Sequence, residues 1–431
     1  MTLTNKNLAL ICLALVLSGY MLAIKNLPEK MPLDFRSFYF ASQVFADGGN
    51  IYDFRDVNAA AKLLKGKPHV YPYLYPPPLA FYVLPLGEME GRTAGRVWSY
   101  LCAAFAAASI LISIMICKSL LKIPDSANTL LLFAAVVFAA ILPFYNNLKM
   151  GQINVIVLLF VTSSVLMAMV HGKDILAGML LAPAVLIKVT PVGFLIYFLI
   201  QKKYKAFLGL LLGSFLVIAP TLMAEHTGIV WGQFFEYLTA TGYGKQIPGL
   251  FPASTVMNFS AAGWVARLGV EPRLISTSTL ALLAVLGSVL IFVNRRAETP
   301  KEGAPLLLAY LVLMVIGAPF AYLHHVVFIY PGVLLVAMSL IRSGHRARFP
   351  LLVIVIALAY VVSIDFPIHY GRIGIEVAPF KSLNLYALLG LFAMSLVASL
   401  PSLSGSDTNE AASSERSEPE PDAGGRARVE S

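Results

Sequence analysis

Residues 175–205 read ILAGMLLAPAVLIKVTPVGFLIYFLIQKKYK, and whether this apolar run is one helix or two sets the topology of the whole chain. As a single helix, Ile175 to Ile200 would cross a bilayer once and leave Lys202, Lys203 and Lys205 on the side opposite the other basic loops. As two half-helices meeting around Lys188-Val189-Thr190-Pro191, it returns the chain to its starting side and keeps those lysines with the rest. Pro191 favours the break, because its ring removes a backbone donor and biases Thr190 away from helix. The expectation is a re-entrant or broken hairpin with Lys188 at its turn.

The loops that decide this lie on either side of the hairpin. Short basic connections carry Lys118 with Lys122, Lys173, Arg295-Arg296 with Lys301, and Arg342 with Arg346 and Arg348. By the positive-inside rule they face the cytoplasm. Apolar runs long enough to cross roughly 30 Å of hydrocarbon stand near 8–24, 97–117, 127–146, 152–170, 206–222, 274–293, 304–321, 326–341, 350–364 and 383–399. With the hairpin this predicts an all-α polytopic membrane protein of about 12 spans with both termini cytoplasmic. Leu8 to Ile24 lacks a small-x-small cleavage site, so it is read as a retained helix.

Composition agrees. Of 431 residues 58% are hydrophobic and 13% charged, which excludes a soluble globular domain. The net charge of +9 is dispersed over short loops, which excludes nucleic-acid binding as its meaning. Cys12, Cys102 and Cys117 all fall inside apolar runs at no metal-ligand spacing, so neither a disulfide nor a metal site is expected from them. Residues 1–400 form the expected transmembrane domain, with no soluble domain and no internal repeat. After Leu400 the chain turns to Ser, Glu, Pro, Asp and Gly, so 401–431 is expected as a disordered cytoplasmic tail.

The outer side then receives the large irregular loops. The first, about Lys25 to Arg96, holds Leu33-Asp34-Phe35-Arg36, an expected interfacial amphipathic helix over Phe38 to Ala46, and a turn at Asp47-Gly48-Gly49-Asn50. A polar helix over about Phe54 to Leu64 follows, then Tyr71 to Pro78, whose three consecutive prolines predict a rigid extended piece. Further outer elements are Asn146 to Asn154, a loop over about 224–272, Ala318 to His325, and 365–381.

Ionisable residues in or beside a membrane are expensive, so each is a functional candidate. Asp34, Arg36, Lys149, Lys188, Arg267, His324 and His325 collect on the outer side, while the spans are nearly free of charge. That argues for a site at the outer face and against a proton or ion path. Asp34 is either a proton acceptor or a solvated partner of Arg36. Arg36 either grips a phosphate with its bidentate fork or pairs with Asp34. Lys188 at a helix break suits a lipid-linked phosphate, or snorkels to the headgroups.

Adjacent histidines on a helix point about 100° apart and rarely share one ion, so His324 and His325 are read as hydrogen-bond donors to phosphate or a sugar hydroxyl rather than as metal ligands. Gln152 and Asn154 flank Gly151, and their amides either bind a sugar or cap the next helix. Asn258-Phe259-Ser260 matches a glycosylation sequon, a weak signal.

Taken in order, these pieces resemble glycosyltransferase family 87 of the GT-C superfamily. The matching stretches are Asp34-Phe35-Arg36-Ser37-Phe38-Tyr39 leading to Asn50-Ile51-Tyr52-Asp53, then Tyr75-Pro76-Pro77, then Gly151-Gln152-Ile153-Asn154. Lys188-Val189-Thr190-Pro191, Asn258-Phe259-Ser260 and Pro319 with His324-His325 complete the series. Phe259 and Tyr322-Leu323 depart from the family pattern, which bears on sugar and acceptor identity more than on reaction class.

The resemblance implies a GT-C-like fold and transfer of a hexose, in the first instance mannose, from a polyprenyl-phosphate donor to a lipid or glycan acceptor, with inversion. It implies Asp34 as general base and Arg36, Lys188, His324 and His325 as donor-phosphate ligands. It further implies Tyr39, Tyr75, Gln152, Asn154 and Asn258 as sugar or acceptor contacts. Neither metal nor other cofactor is expected, and the partners are donor, acceptor and membrane lipids. Two other readings stay open: a secondary transporter or lipid flippase, which would place substrate groups near the midplane and repeat its broken helices in both halves, and a ligase or polymerase of lipid-linked glycans.

Overall fold

The computed structural model describes residues 31–63, 68–121, 127–224, 226–241, 245, 247–297, 300–342, 348–365 and 381–400. The expected span at 8–24 with Cys12, Lys122, Arg346, most of the 365–381 segment and the 401–431 tail lie outside them. Among the described residues every regular element is helical. Four segments are long and apolar enough to cross a bilayer, Gly91–Leu121, Lys205–Met223, Pro272–Asn294 and Leu323–Ile341, and seven further apolar helical segments run 10–17 residues.

The protein is a helical membrane protein, but the described residues do not supply about 12 full-length spans. Part of the reason is that the 8–24 run lies outside the described residues, and part lies in the prolines. Pro183 sits inside one apolar helix, Pro191 and Pro305 each open a 3₁₀ turn, and Pro319 stands where the 304–321 run was expected to continue. Each interrupts the backbone ladder of a run that hydropathy alone reads as continuous.

Burial sorts centre from rim. The Leu323–Ile341 segment is 89% buried over its apolar window, against 22% for Lys205–Met223 and 17% for Pro272–Asn294. The two peripheral segments leave Leu208, Leu211, Phe215, Leu280, Val285 and Phe292 exposed, a surface suited to acyl chains rather than water.

In chain order come α1 (Phe35–Ala46), α2 (Phe54–Leu63), α3 (Pro77–Gly87), α4 (Gly91–Leu121) and α5 (Ala127–Met150). After a tight turn come α6 (Asn154–Val165), continued by a π turn at Leu166–Val170, and α7 (Asp174–Ile187). The chain breaks at Lys188, whose backbone is extended at φ −147° and ψ 119°, forms a 3₁₀ turn over Thr190–Gly193 and resumes as α8 (Phe194–Ile200). The helix break expected there is present. Next, α9 (Lys205–Ile218) crosses α7 so closely that a Cβ on Gly178 would sit 1.9 Å from the Ala206 carbonyl oxygen, and one on Gly209 2.0 Å from that of Ile175.

Two expectations in the first loop are corrected. The helix expected over Phe38 to Ala46 begins at Phe35, and Phe35, Phe38, Phe40 and Phe45 are all buried in the main core. Helix α1 is therefore a wedge inside the protein, because its aromatics recur on more faces than one amphipathic stripe can hold. The triple proline is not a wholly extended piece. Pro76 precedes α3, and Pro77 and Pro78 occupy its first turn, where their missing N–H groups would have had no intrahelical partner.

Candidate active site

One cavity of about 820 Å³ collects the expected chemistry, with Asp34, Tyr75, Gln152, Lys188, His324 and His325 in its wall. The first contribution comes from the entry to α1. Asp34 occupies the N-cap position, yet its side chain makes no capping bond. Its backbone N–H donates to the Met150 carbonyl at 2.8 Å, and its carboxylate Oδ2 accepts from Gln152 Nε2 at 2.6 Å.

Gly151 makes this approach possible. It adopts φ +71°, and a Cβ there would lie 2.6 Å from the Pro32 side chain. Trp98 clamps both sides, donating from Nε1 to the Gly151 carbonyl at 2.7 Å and stacking on Phe35 with ring centroids 5.0 Å apart. Tyr75, packed edge-on against Phe38, donates its hydroxyl to Gln152 Oε1 at 3.2 Å.

Two residues beyond Gln152, the Asn154 amide serves the opposite charge. Its Oδ1 accepts from Lys188 Nζ at 2.8 Å, and its Nδ2 donates to the His324 carbonyl at 3.1 Å. Asn147 Nδ2 donates to the same carbonyl at 3.2 Å. Lys188 also lies 5.8 Å from the centroid of the Phe328 ring, within cation–π range.

His324 and His325 sit at the start of a 3₁₀ turn (Leu323–Ile329) with ring centroids 4.6 Å apart. His325 Nδ1 accepts the Tyr322 backbone N–H at 3.0 Å, so a neutral imidazole there carries its proton on Nε2.

Several expected site residues are placed elsewhere. Arg36 does not line the cavity: its Nε donates to the Met31 carbonyl at 3.2 Å and its Nη1 to that of His69 at 3.0 Å, so it braces the loop around α1. Tyr39 is buried away from the cavity and donates its hydroxyl to the Met89 carbonyl at 2.8 Å. Asn154 is fully buried behind the wall, and Ile153, not Gln152, is the N-cap of α6, without a side-chain bond. The two amides of the turn therefore bond to site residues and do not cap the helix.

Asn258 is likewise internal. Its Nδ2 donates to the Ala253 and Pro319 carbonyls, and its Oδ1 accepts from the Ser260 and Ala321 backbone N–H groups, which pins two loops together. All four amide contacts are to protein, and neighbouring Met257 and Phe259 line the cavity instead.

Burial raises the Asp34 carboxyl to about 6, with the Gln152 hydrogen bond and the charges of Arg36 and Lys188 opposing. A carboxylate poised near neutrality can accept a proton at physiological pH. An ammonium and two imidazoles on the same wall can hold an anion. The arrangement therefore suits a step in which a hydroxyl is deprotonated while a negative charge develops nearby.

Sequence reasoning missed Tyr71, Tyr237, Tyr322 and Asp365 as cavity residues and Asn147 as a support of the histidine turn. Tyr71 was in view only as part of a proline-rich run, and Asp365 only as the start of a loop. Tyr237 lies on a separate helix, α10 (Thr227–Ala240), with no local signal to mark it.

The sequence profile described as glycosyltransferase family 87 matches residues 73–364, well over half of the chain. That match includes Tyr75, Gln152, Lys188 and the histidine pair and begins after Asp34. The chain is 28% identical over 225 residues to the polyprenol-phosphate-mannose-dependent alpha-(1-2)-phosphatidylinositol mannoside mannosyltransferase of Mycolicibacterium smegmatis, with 49% of this chain and 48% of that protein covered. It is 26% identical over 278 residues to the Mycobacterium tuberculosis protein of the same name, with 62% of each covered. The matches thus span about half to three fifths of those relatives' length. No solved structure matches the chain.

Proposed function

The chain belongs to glycosyltransferase family 87, and from that premise we propose that it transfers a hexose, mannose in the first instance, from a polyprenyl-phosphate donor to a lipid or glycan acceptor. The site lies at the outer face of the cell membrane, with both termini cytoplasmic. The basic loops support that orientation through the positive-inside rule. The observation that carries the reading is the single cavity wall bearing Asp34, Lys188, His324 and His325. The polyprenol-phosphate-mannose dependence for which the mycobacterial relatives are named supports the donor.

The mechanism is a direct displacement. Asp34 removes the proton from the acceptor hydroxyl as that oxygen attacks the anomeric carbon. The bond from that carbon to the phosphate oxygen breaks on the opposite face, inverting the centre, so that a β-linked donor gives an α-linked product. A phosphate monoester departs as an anion without needing a proton. The cations and donors of the wall suffice to hold it: Lys188 as a point charge, and the histidines as hydrogen-bond donors. Arg36, committed to two backbone carbonyls, supports the loop that carries Asp34.

The test is to incubate membranes containing the protein with radiolabelled polyprenyl-phosphate mannose. Label in a new covalent lipid or glycan product is the expected result. Label that only changes leaflet, without a new product, overturns the reading in favour of a flippase.

A further inference from the structure

We infer that Gln152, itself held by Tyr75, is a positioning residue that orients the Asp34 carboxylate, and that the Tyr75–Gln152–Asp34 chain acts on the base rather than on sugar. This rests on the reading of Asp34 as general base. The Gln152 amide has one arrangement that satisfies both neighbours. Its carbonyl accepts from the Tyr75 hydroxyl at 3.2 Å, and its Nε2 donates to Asp34 Oδ2 at 2.6 Å. The flipped amide would set its oxygen against a carboxylate oxygen at that same short distance, two acceptors with no proton between them.

The main chain of Gln152 is equally constrained. Its N–H donates to the Asn147 carbonyl at 3.0 Å, and its carbonyl accepts from Cys102 Sγ at 3.8 Å. The residue is 8% exposed, and Tyr75 packs against Phe38 of α1, the helix that Asp34 precedes. A hydroxyl–amide–carboxylate series held at both ends fixes the direction of the last member. A residue meant to hold a mobile sugar would keep its amide free.

The charged side chains facing Asp34 are Arg36 on its own helix and Lys188 from the break after α7. Tyr71, Tyr75 and Tyr322 face it as neutral phenols, and His324, His325 and Asp365 share the cavity wall. Arg36 and Lys188 favour the ionised carboxylate by charge. Gln152 supplies a direct hydrogen bond to it, and loss of that bond favours the protonated form.

Dicyclohexylcarbodiimide, an apolar reagent for protonated carboxyl groups, tests this on the full-length protein without any sugar substrate. Labelling of the Asp34-bearing peptide is followed by mass spectrometry against pH. In Gln152→Ala the labelling midpoint should move up by about one pH unit, the equivalent of losing a hydrogen bond to a charged group. Tyr75→Phe should move it the same way by less. In the transfer assay Gln152→Ala should lower kcat and leave the donor KM in place, whereas a sugar ligand would raise KM.

An unmoved midpoint in Gln152→Ala with an unchanged melting temperature overturns the inference. If that variant does not fold, an unmoved midpoint in Tyr75→Phe overturns it. A moved midpoint supports the positioning role even where the unaltered protein transfers no sugar, an outcome that overturns the proposed function alone.

Discussion

Lys188 donates from Nζ to the side-chain carbonyl of Asn154 across 2.8 Å, and Asn154 stands two residues beyond Gln152, which donates to Asp34. Burial lowers the Lys188 ammonium to about 7, with the Asp34 charge opposing, so a departing anion draws out its charge. A charge fixed this way stabilises that anion without reorganising during the reaction. Lys188→Met should lower kcat by about 10²–10³, comparable to removing one electrostatic donor from other active sites. Lys188→Arg should not restore it, because a planar fork cannot reproduce a compact ammonium on Asn154 Oδ1. Steady-state kinetics on the two variants check this.

Asp34→Asn should lower transfer by about 10²–10⁴ if the carboxylate is the base. Asparagine is near-isosteric, so expression and detergent extraction should be unchanged. Transfer at the unaltered rate in this variant would remove Asp34 from the mechanism.

The same substitution has a stability signature. Burial raises the Asp34 carboxyl from 3.8 to about 6 in the folded protein, so the fold binds this proton more tightly than the unfolded chain. Between those values stability should fall as pH rises, by at most about 3 kcal/mol. Asp34→Asn should therefore melt at or above the unaltered protein at pH 7.5 and lose that part of the pH dependence. Melting curves at pH 4.5 and 7.5 on both proteins check the sign.

The pH–rate profile follows from the same group. The acidic limb of kcat/KM should titrate near 6, the Asp34 value, and the reaction should be slow below it because the base is already protonated. A limb near 4 would indicate a solvent-exposed carboxylate instead.

Asn258→Ala should behave as a structural change. Its amide joins Ala253, Ser260, Pro319 and Ala321, and removing it leaves buried backbone groups unpaired at a cost of about 1–3 kcal/mol for each group left without a partner. The expected outcome is a lower melting temperature with the donor KM unchanged in the protein that remains folded. A raised KM at normal stability would return Asn258 to the sugar-binding set.

Composition and spacing by themselves determined the class of this protein and picked out the main ionisable residues that line its cavity. A chain this apolar cannot shield its runs from water without a bilayer, and a charge placed beside such runs is rare enough to stand out. Asp34, Lys188, His324 and His325 were legible for that reason, as was the break at Lys188, where Pro191 acts through local backbone geometry.

Tertiary structure decided what each polar side chain touches. Arg36, Tyr39 and Asn258 have partners that are backbone carbonyls and amides delivered from elsewhere in the fold, and no residue pattern records a carbonyl's position. The length of the helix within the 304–321 run was also beyond hydropathy, because Pro305 and Pro319 interrupt a run whose apolarity is unbroken. Gln152 shows the division most clearly. Its amide beside Gly151 was visible as a candidate, but its hydrogen bond to Asp34 is a 2.6 Å contact between residues 118 positions apart. Contacts that distant in the chain are set by packing, which a local reading of the chain does not contain.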